Sequence, residues 1–153
     1  MSSEMKVNFE LFKSEDYPEL KDMILGLYNE DPPSVPMAEE KILKTLKELI
    51  DNPVKGQIII FKVNNDIVGY GIIIFFWSNE YGGNILYIDE LFVKSEWRSK
   101  KIGTEFFNYL YKTFRDEVVA LKLEVTPRNV RARKYYETLE FKETRNIHLL
   151  KII

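Results

Sequence analysis

The run Ile85 to Thr104, ILYIDELFVKSEWRSKKIGT, limits the possible folds more than any other part of the chain. It reads as a strand, a short basic turn, and a glycine at the opening of an amphipathic helix. From Gly103, the spacing of Phe106, Phe107, Leu110 and Phe114 predicts that helix, and Val118 to Val125 follows as a further strand. A strand-helix-strand order of this length makes a parallel pair with a right-handed crossover, which places the chain among α/β folds. The turn also has chemical potential. The first amides of a helix lack internal partners and sit at the positive end of its dipole, so a turn entering one can hold a phosphate. Arg98, Lys100 and Lys101 crowd the same place.

The rest of the chain supplies elements around this unit. Val7 to Phe12 is predicted as a first strand, with Ser14 as N-cap of a helix carrying Leu20, Ile24, Leu27 and Tyr28 on one face and Pro18 in its first turn. Asp31-Pro32-Pro33-Ser34-Val35-Pro36 breaks the chain before a second helix with Ile42, Leu43, Leu46, Leu49 and Ile50 as its apolar stripe, stopped by Asp51-Asn52-Pro53. Gln57 to Val63 and Ile67 to Trp77 are two β-prone runs joined by Asn64-Asn65-Asp66, residues that tolerate the positive φ of a tight hairpin. Ser78 to Asn84 connects to the strand Ile85 to Val93. Asn129 to Leu139 repeats apolar residues at helical spacing, and Arg145 to Ile152 is predicted to close the sheet as a last strand.

Composition narrows the function. With 153 residues and 45% hydrophobic content, the chain is expected to be one domain, residues 1–153, with its own core. A net charge of −2 argues against a general nucleic-acid binder, which carries a basic excess. The absence of cysteine excludes disulfides, cysteine-ligated zinc and a cysteine nucleophile, and a lone His148 cannot form a histidine metal cluster, so no metal is expected. The longest apolar run, Ile72 to Trp77, is far too short to span a membrane, and the chain is read as cytoplasmic with no membrane partner.

Taken in order, the strand ending ELFV, the basic turn Arg98-Ser99-Lys100-Lys101-Ile102-Gly103, the strand LKLEV, and a helix beginning at Asn129 and carrying Tyr135-Tyr136 resemble the GNAT superfamily of acyl-CoA-dependent N-acetyltransferases. The resemblance covers nearly the whole chain and is nearest to the polyamine acetyltransferases of the spermidine/spermine type. It implies the GNAT fold, a central mixed sheet flanked by about four helices. It also implies acetyl-CoA as acetyl donor, and direct transfer to a primary amine in a ternary complex, with a small polyamine or diamine as the favoured acceptor. A non-catalytic acyl-CoA sensor and an acetyltransferase acting on a protein amine are the alternatives. The family is often dimeric. The apolar segment His148 to Ile153 would supply such an interface or else finish the monomer's core, and a homodimer is expected.

The same resemblance assigns residues. The family's pyrophosphate loop, Gln/Arg-x-x-Gly-x-Gly/Ala, is met by Arg98, Ile102 and Gly103, with Ser99, Lys100 and Thr104 completing the cradle. Lys101 stands where the first glycine is expected, and Ser99 where glycine is frequent. Side chains there are tolerated where φ stays negative, because backbone N–H groups hold the phosphates. Leu91, Phe92 and Val93 would offer backbone N–H and C=O groups to the pantetheine arm, and Asn129 would contact the cofactor while capping its helix. Asp89 falls at the family's amine-facing or water-activating carboxylate, with Glu90 beside it. Strand alternation sends the two to opposite faces unless a bulge intervenes. A carboxylate is needed because a primary amine with a solution pKa near ~10.4 is mostly ammonium at neutral pH, and only the free base attacks a thioester. Tyr136 matches the tyrosine that protonates or hydrogen-bonds the departing thiolate, with core packing as its other reading. Tyr28, Glu30, Asp31 and Glu80, together with Asp89, would border the amine pocket. Glu140 replaces the glycine of the family's Leu-Gly-Phe after the last helix, which places a side chain at a left-handed C-cap.

Overall fold

The computed structural model describes residues 4–153, which pack as two compact units, one ending at Leu123 and the other running from Glu124 to Ile153. The first unit holds a five-stranded sheet in the order β1 (Asn8–Leu11), β2 (Gly56–Val63), β3 (Asp66–Ser78), β4 (Gly83–Val93) and β5 (Ala120–Leu123). Neighbours are antiparallel except β4 and β5, which are parallel, as the strand-helix-strand run requires. Helices α1 (Tyr17–Glu30), α2 (Glu39–Asp51) and α3 (Ile102–Phe114) belong to this unit.

Alternation along the strands divides the core. On one face, Ile58, Ile60, Tyr70 and Ile72 pack with Leu20, Met23 and Ile24 of α1 and Ile42, Leu46 and Leu49 of α2. The opposite face is aromatic: the Phe61 and Phe106 ring centroids lie 4.6 Å apart, and Phe9 stacks on Tyr109 at 4.9 Å. Gly71 makes this approach possible, because a Cβ there would stand 2.6 Å from the Phe106 ring. The α2 stripe is narrower than predicted: Leu43 and Ile50 are exposed, since three residues per two turns suffice to seat a helix on a sheet.

One turn follows its residues closely. The β2–β3 hairpin turns on Asn64 (φ 50°) and Asn65 (φ 69°), the left-handed pair that a two-residue hairpin requires. Ser14, by contrast, is not a helix cap. It opens a short 3-10 turn, Ser14–Asp16, in which the buried Asp16 accepts from the Lys13 N–H at 2.9 Å, and α1 starts after it. The local signal was a polar residue before an apolar stripe, and Asp16 fits that signal as well as Ser14 does.

In the second unit, α4 (Val130–Thr138) is capped by Asn129, whose side chain accepts from the Ala132 N–H at 3.1 Å. Past its C-cap Leu139, Glu140 has φ 68°, the left-handed position predicted from the missing glycine. The predicted closing strand, Arg145 to Ile152, does not form: residues 141–153 carry neither strand nor helix. Its apolar side chains stand in solvent, from 70% exposed at Ile152 to 94% at Leu149. A β-prone pattern makes a strand only where a neighbouring edge takes up its backbone bonds, and here none does.

Candidate active site

The site centres on β4, where the antiparallel register slips. Ile72 of β3 stands opposite Glu90, but Ile73 stands opposite Ile88, so Asp89 is an extra residue. Ile74 pairs with Tyr87 on the α1/α2 face, and Ile72 pairs with Glu90 on that face. Asp89, two residues after Tyr87, therefore falls on the same side as Glu90. The bulge brings together two carboxylates that simple alternation would separate.

Their surroundings differ. Asp89 is exposed and lines an open groove of about 590 Å³, floored by Leu49, Ile72 and Ile74 and walled by α2. Glu90 is half-buried. Its Oε1 accepts from the Tyr70 hydroxyl at 2.8 Å and its Oε2 from the Tyr28 hydroxyl at 3.2 Å. Burial, helped by the charge of Asp89, raises its pKa above the ordinary glutamate range, while the two phenol hydrogen bonds oppose that rise. Both phenols are in turn pushed up, first by their own burial and then by the negative charge of Glu90.

Just past this point β4 loses a neighbour. The β4–β5 ladder runs from Ile85↔Ala120 to Ile88↔Leu123 and stops, while β4 continues to Val93. Leu91, Phe92 and Val93 thus extend beyond the parallel pairing, with an edge that an extended ligand can join. The chain then passes through a 3-10 turn, Ser95–Trp97, into the basic loop. Both Ser99 (φ 61°) and Lys101 (φ 64°) are left-handed, so the negative φ under which side chains are easily tolerated there is not met. The loop keeps the conformation that glycine usually provides, and the two side chains sustain its cost. Lys101 is the N-cap of α3, and the first ladder bond runs from the Glu105 N–H to the Lys101 carbonyl at 3.0 Å. The amides of Ile102, Gly103 and Thr104 precede that ladder, at the positive end of a 13-residue helix. Lys100 lies over the Trp97 ring at 4.9 Å.

Arg98 is held inside the unit. Its Nε donates to the Val93 carbonyl at 2.8 Å, its Nη2 donates to both oxygens of Glu30 at 2.8 and 3.0 Å, and it covers the Phe92 ring at 5.3 Å. Glu30, predicted to border the amine pocket, therefore pairs with Arg98 of the basic loop. Asp31 is exposed just beyond the end of α1. Glu80 sits at the β3–β4 turn, seven residues of β4 away from the Glu90 level when counted from Gly83, roughly 23 Å along the strand. The structure brings Tyr28, Asp89 and Glu90 together and leaves Glu80 at the far end of β4.

Tyr136 and Asn129 lie on and before α4 in the second unit. Tyr136 is half-buried, with its ring 5.5 Å from Tyr135 and 6.0 Å from Phe141. Burial, and secondarily Tyr135, raise its pKa, which keeps the phenol protonated as a hydrogen donor. Tyr70 is the residue that reading the sequence missed. Its signal was a hydroxyl inside the apolar run Ile67 to Ile74, fully buried here, because a buried phenol calls for a partner. Among the described residues no group of three or more His, Cys, Asp or Glu side chains is placed to hold a metal, and no helix is long and apolar enough to cross a membrane.

The model of the acetyltransferase (GNAT) family matches residues 20–141, and the chain belongs to that family. It is an acetyl-CoA-dependent N-acetyltransferase. Among solved structures, a possible acetyltransferase from Clostridium difficile 630 is similar with a TM-score of 0.83 at 23% identity, over 96% of this chain and 98% of that one. An aminoglycoside acetyltransferase from an uncultured soil metagenomic sample, in complex with trehalose, matches at 0.72 and 16% identity, covering 96% of each chain. Glucosamine-6-phosphate N-acetyltransferase from Arabidopsis thaliana matches at 0.70 and 14% identity, over 96% of this chain and 98% of that one. These likenesses establish the fold. No curated protein matches the sequence.

Proposed function

We propose that this enzyme acetylates a small primary amine by direct attack in a ternary complex, with a polyamine or diamine as the acceptor class. The observation that carries the reading is the bulge that turns Asp89 and Glu90 to one face, beside the stretch where β4 outruns β5. A cationic amine is drawn to that pair, and one of the carboxylates takes its proton. The freed nitrogen attacks the acetyl carbonyl; the C–N bond forms, the C–S bond breaks, and the thiolate takes a proton from Tyr136. Of the two protons that the ammonium sheds, one stays with the carboxylate and the other balances the proton that Tyr136 gives up.

On this reading the amides opening α3, with Ser99, Lys100 and Lys101, hold the pyrophosphate, and Leu91, Phe92 and Val93 hold the pantetheine arm. Asn129 contacts the cofactor from the start of α4. Both units then act as one domain. A cytoplasmic enzyme is in keeping with a chain that has no cysteine. A homodimer is supported by the exposed apolar residues Ile147, Leu149, Leu150, Ile152 and Ile153, which one copy leaves in water. Light scattering in solution tests it, and a monomer at all concentrations would end it. The role of Tyr136 is tested by Tyr136→Phe. Turnover is expected to fall by more than about tenfold, the lower part of the range for acid–base groups, with acetyl-CoA binding retained. Unchanged turnover would remove Tyr136 from the mechanism.

A further inference from the structure

Glu90 is gripped from two elements that meet nowhere else on this carboxylate. The Tyr70 hydroxyl of β3 donates to Oε1 and the Tyr28 hydroxyl of α1 donates to Oε2, so each oxygen has its own donor. Packing alone does not account for this. Tyr70 is fully buried beneath α1 and α2, where a phenylalanine would fill nearly the same volume without needing a partner. Aliphatic neighbours and Phe92 complete the surroundings, and a carboxylate among them is costly unless hydrogen-bonded.

We infer that Tyr70 and Tyr28 are positioning residues for acyl transfer, which hold the carboxylate of Glu90, rather than that of Asp89, as the proton acceptor for the incoming amine. The inference rests on the acetyltransferase reading and assigns the base within it. Asp89, exposed in the groove, attracts the ammonium; Glu90, behind it, takes the proton. In that step the N–H bond breaks and an O–H bond forms on Glu90, leaving a neutral amine with its lone pair and a neutral carboxylic acid. The transfer is direct or passes through one water. A cavity of about 20 Å³, lined by Glu90, Thr45 of α2 and aliphatic side chains, is the size of one such water.

Among the described residues, the charged and titratable groups that act on Glu90 are few. α1 contributes Tyr28, β3 contributes Tyr70, and β4 contributes Asp89; α2 presents Thr45, Ile42 and Leu46, which do not titrate. Burial and Asp89 hold the proton on Glu90 more tightly than on an ordinary glutamate, and the two phenols counter this by stabilising the ionised form. Removing a phenol hydroxyl therefore moves the ionisation of Glu90 to higher pH.

The test compares Tyr70→Phe and Tyr28→Phe with the wild type by two readouts: kcat/KM for the amine against pH, and a carbon NMR titration of carboxyl-labelled glutamate with Glu90→Gln to assign the signal. In Tyr70→Phe the acid limb and the Glu90 titration are expected to rise together by about one pH unit, the size of one hydrogen bond to a charged group. At a pH on that limb the rate falls about tenfold, while KM for acetyl-CoA stays put. Tyr28→Phe moves both in the same direction by less, because its contact is longer. An active enzyme whose acid limb and Glu90 signal are unmoved in both variants overturns the inference. A wild type that acetylates no amine overturns it by another route, through the transferase reading, and is told apart because the Glu90 titration still moves in Tyr70→Phe.

Discussion

The left-handed Lys101 makes the sharpest prediction about the basic loop. At φ 64° and ψ 18° a residue with a Cβ sustains a steric cost of about 1–2 kcal/mol that glycine escapes. Glycine in turn gives the unfolded chain more freedom, which costs about 0.4–1 kcal/mol. The difference, about 0–1.6 kcal/mol and centred near about 0.8 kcal/mol, leaves Lys101→Gly the more stable protein, by roughly 2–3 °C in melting temperature at that centre for a chain of this size. Lys101→Ala separates strain from charge. It removes the same ammonium but keeps the Cβ, so it should show no such gain. Thermal denaturation of the three proteins without ligand is the assay. Equal gains in the glycine and alanine variants would place the effect on charge and refute the strain argument, and a destabilised Lys101→Gly would refute the conformation itself. Ser99→Gly, at φ 61°, is expected to behave in the same direction.

Other consequences are as direct. Gly103→Asp places a carboxylate in the first turn of α3, where it suits the helix dipole but repels a pyrophosphate. The protein should melt no lower while acetyl-CoA binds about tenfold more weakly by calorimetry, and unaltered affinity would sink the phosphate-loop assignment. Gly71→Ala drives a methyl against the Phe106 ring and should lower stability by about 1–3 kcal/mol in urea unfolding; a neutral result would mean that the aromatic face is looser than its contacts indicate.

Where a local residue choice dictates a local conformation, the fold was legible in the sequence. Asn64-Asn65 announced a left-handed hairpin turn, and the periodic Phe106, Phe107, Leu110 and Phe114 announced α3 between two parallel strands, whereas the left-handed helix end at Glu140 was readable only through the family's Leu-Gly-Phe pattern. The loop at Ser99 and Lys101 was harder, because glycine is the usual marker of positive φ and both residues lack it. The closing strand failed for a different reason. Leu149, Leu150 and Ile152 have the right character, but a strand is completed by its neighbour, and no pattern within one segment supplies one.

The carboxylates of the site were visible as an acidic pair in an apolar strand, but their arrangement was not. Which face each occupies depends on one slipped residue at Asp89, and the register between β3 and β4 is a property of two strands together. Tyr70 was hidden for a related reason. In its own strand it is one more large side chain between Val68 and Ile72, and only the partner strand reveals what its hydroxyl is for. Glu30 looked like a charge for the amine pocket, and only the fold shows Arg98 across from it.

The most direct test of the account is thiol release from acetyl-CoA, followed with a thiol-reactive dye across a panel of polyamines, diamines, amino acids and aminoglycosides. A chain without cysteine adds no background. Saturable release with a di- or polyamine, stoichiometric with acetylated product, is the predicted result. No release with any amine by a protein that binds acetyl-CoA would contradict the proposal that Asp89 and Glu90 serve a small amine.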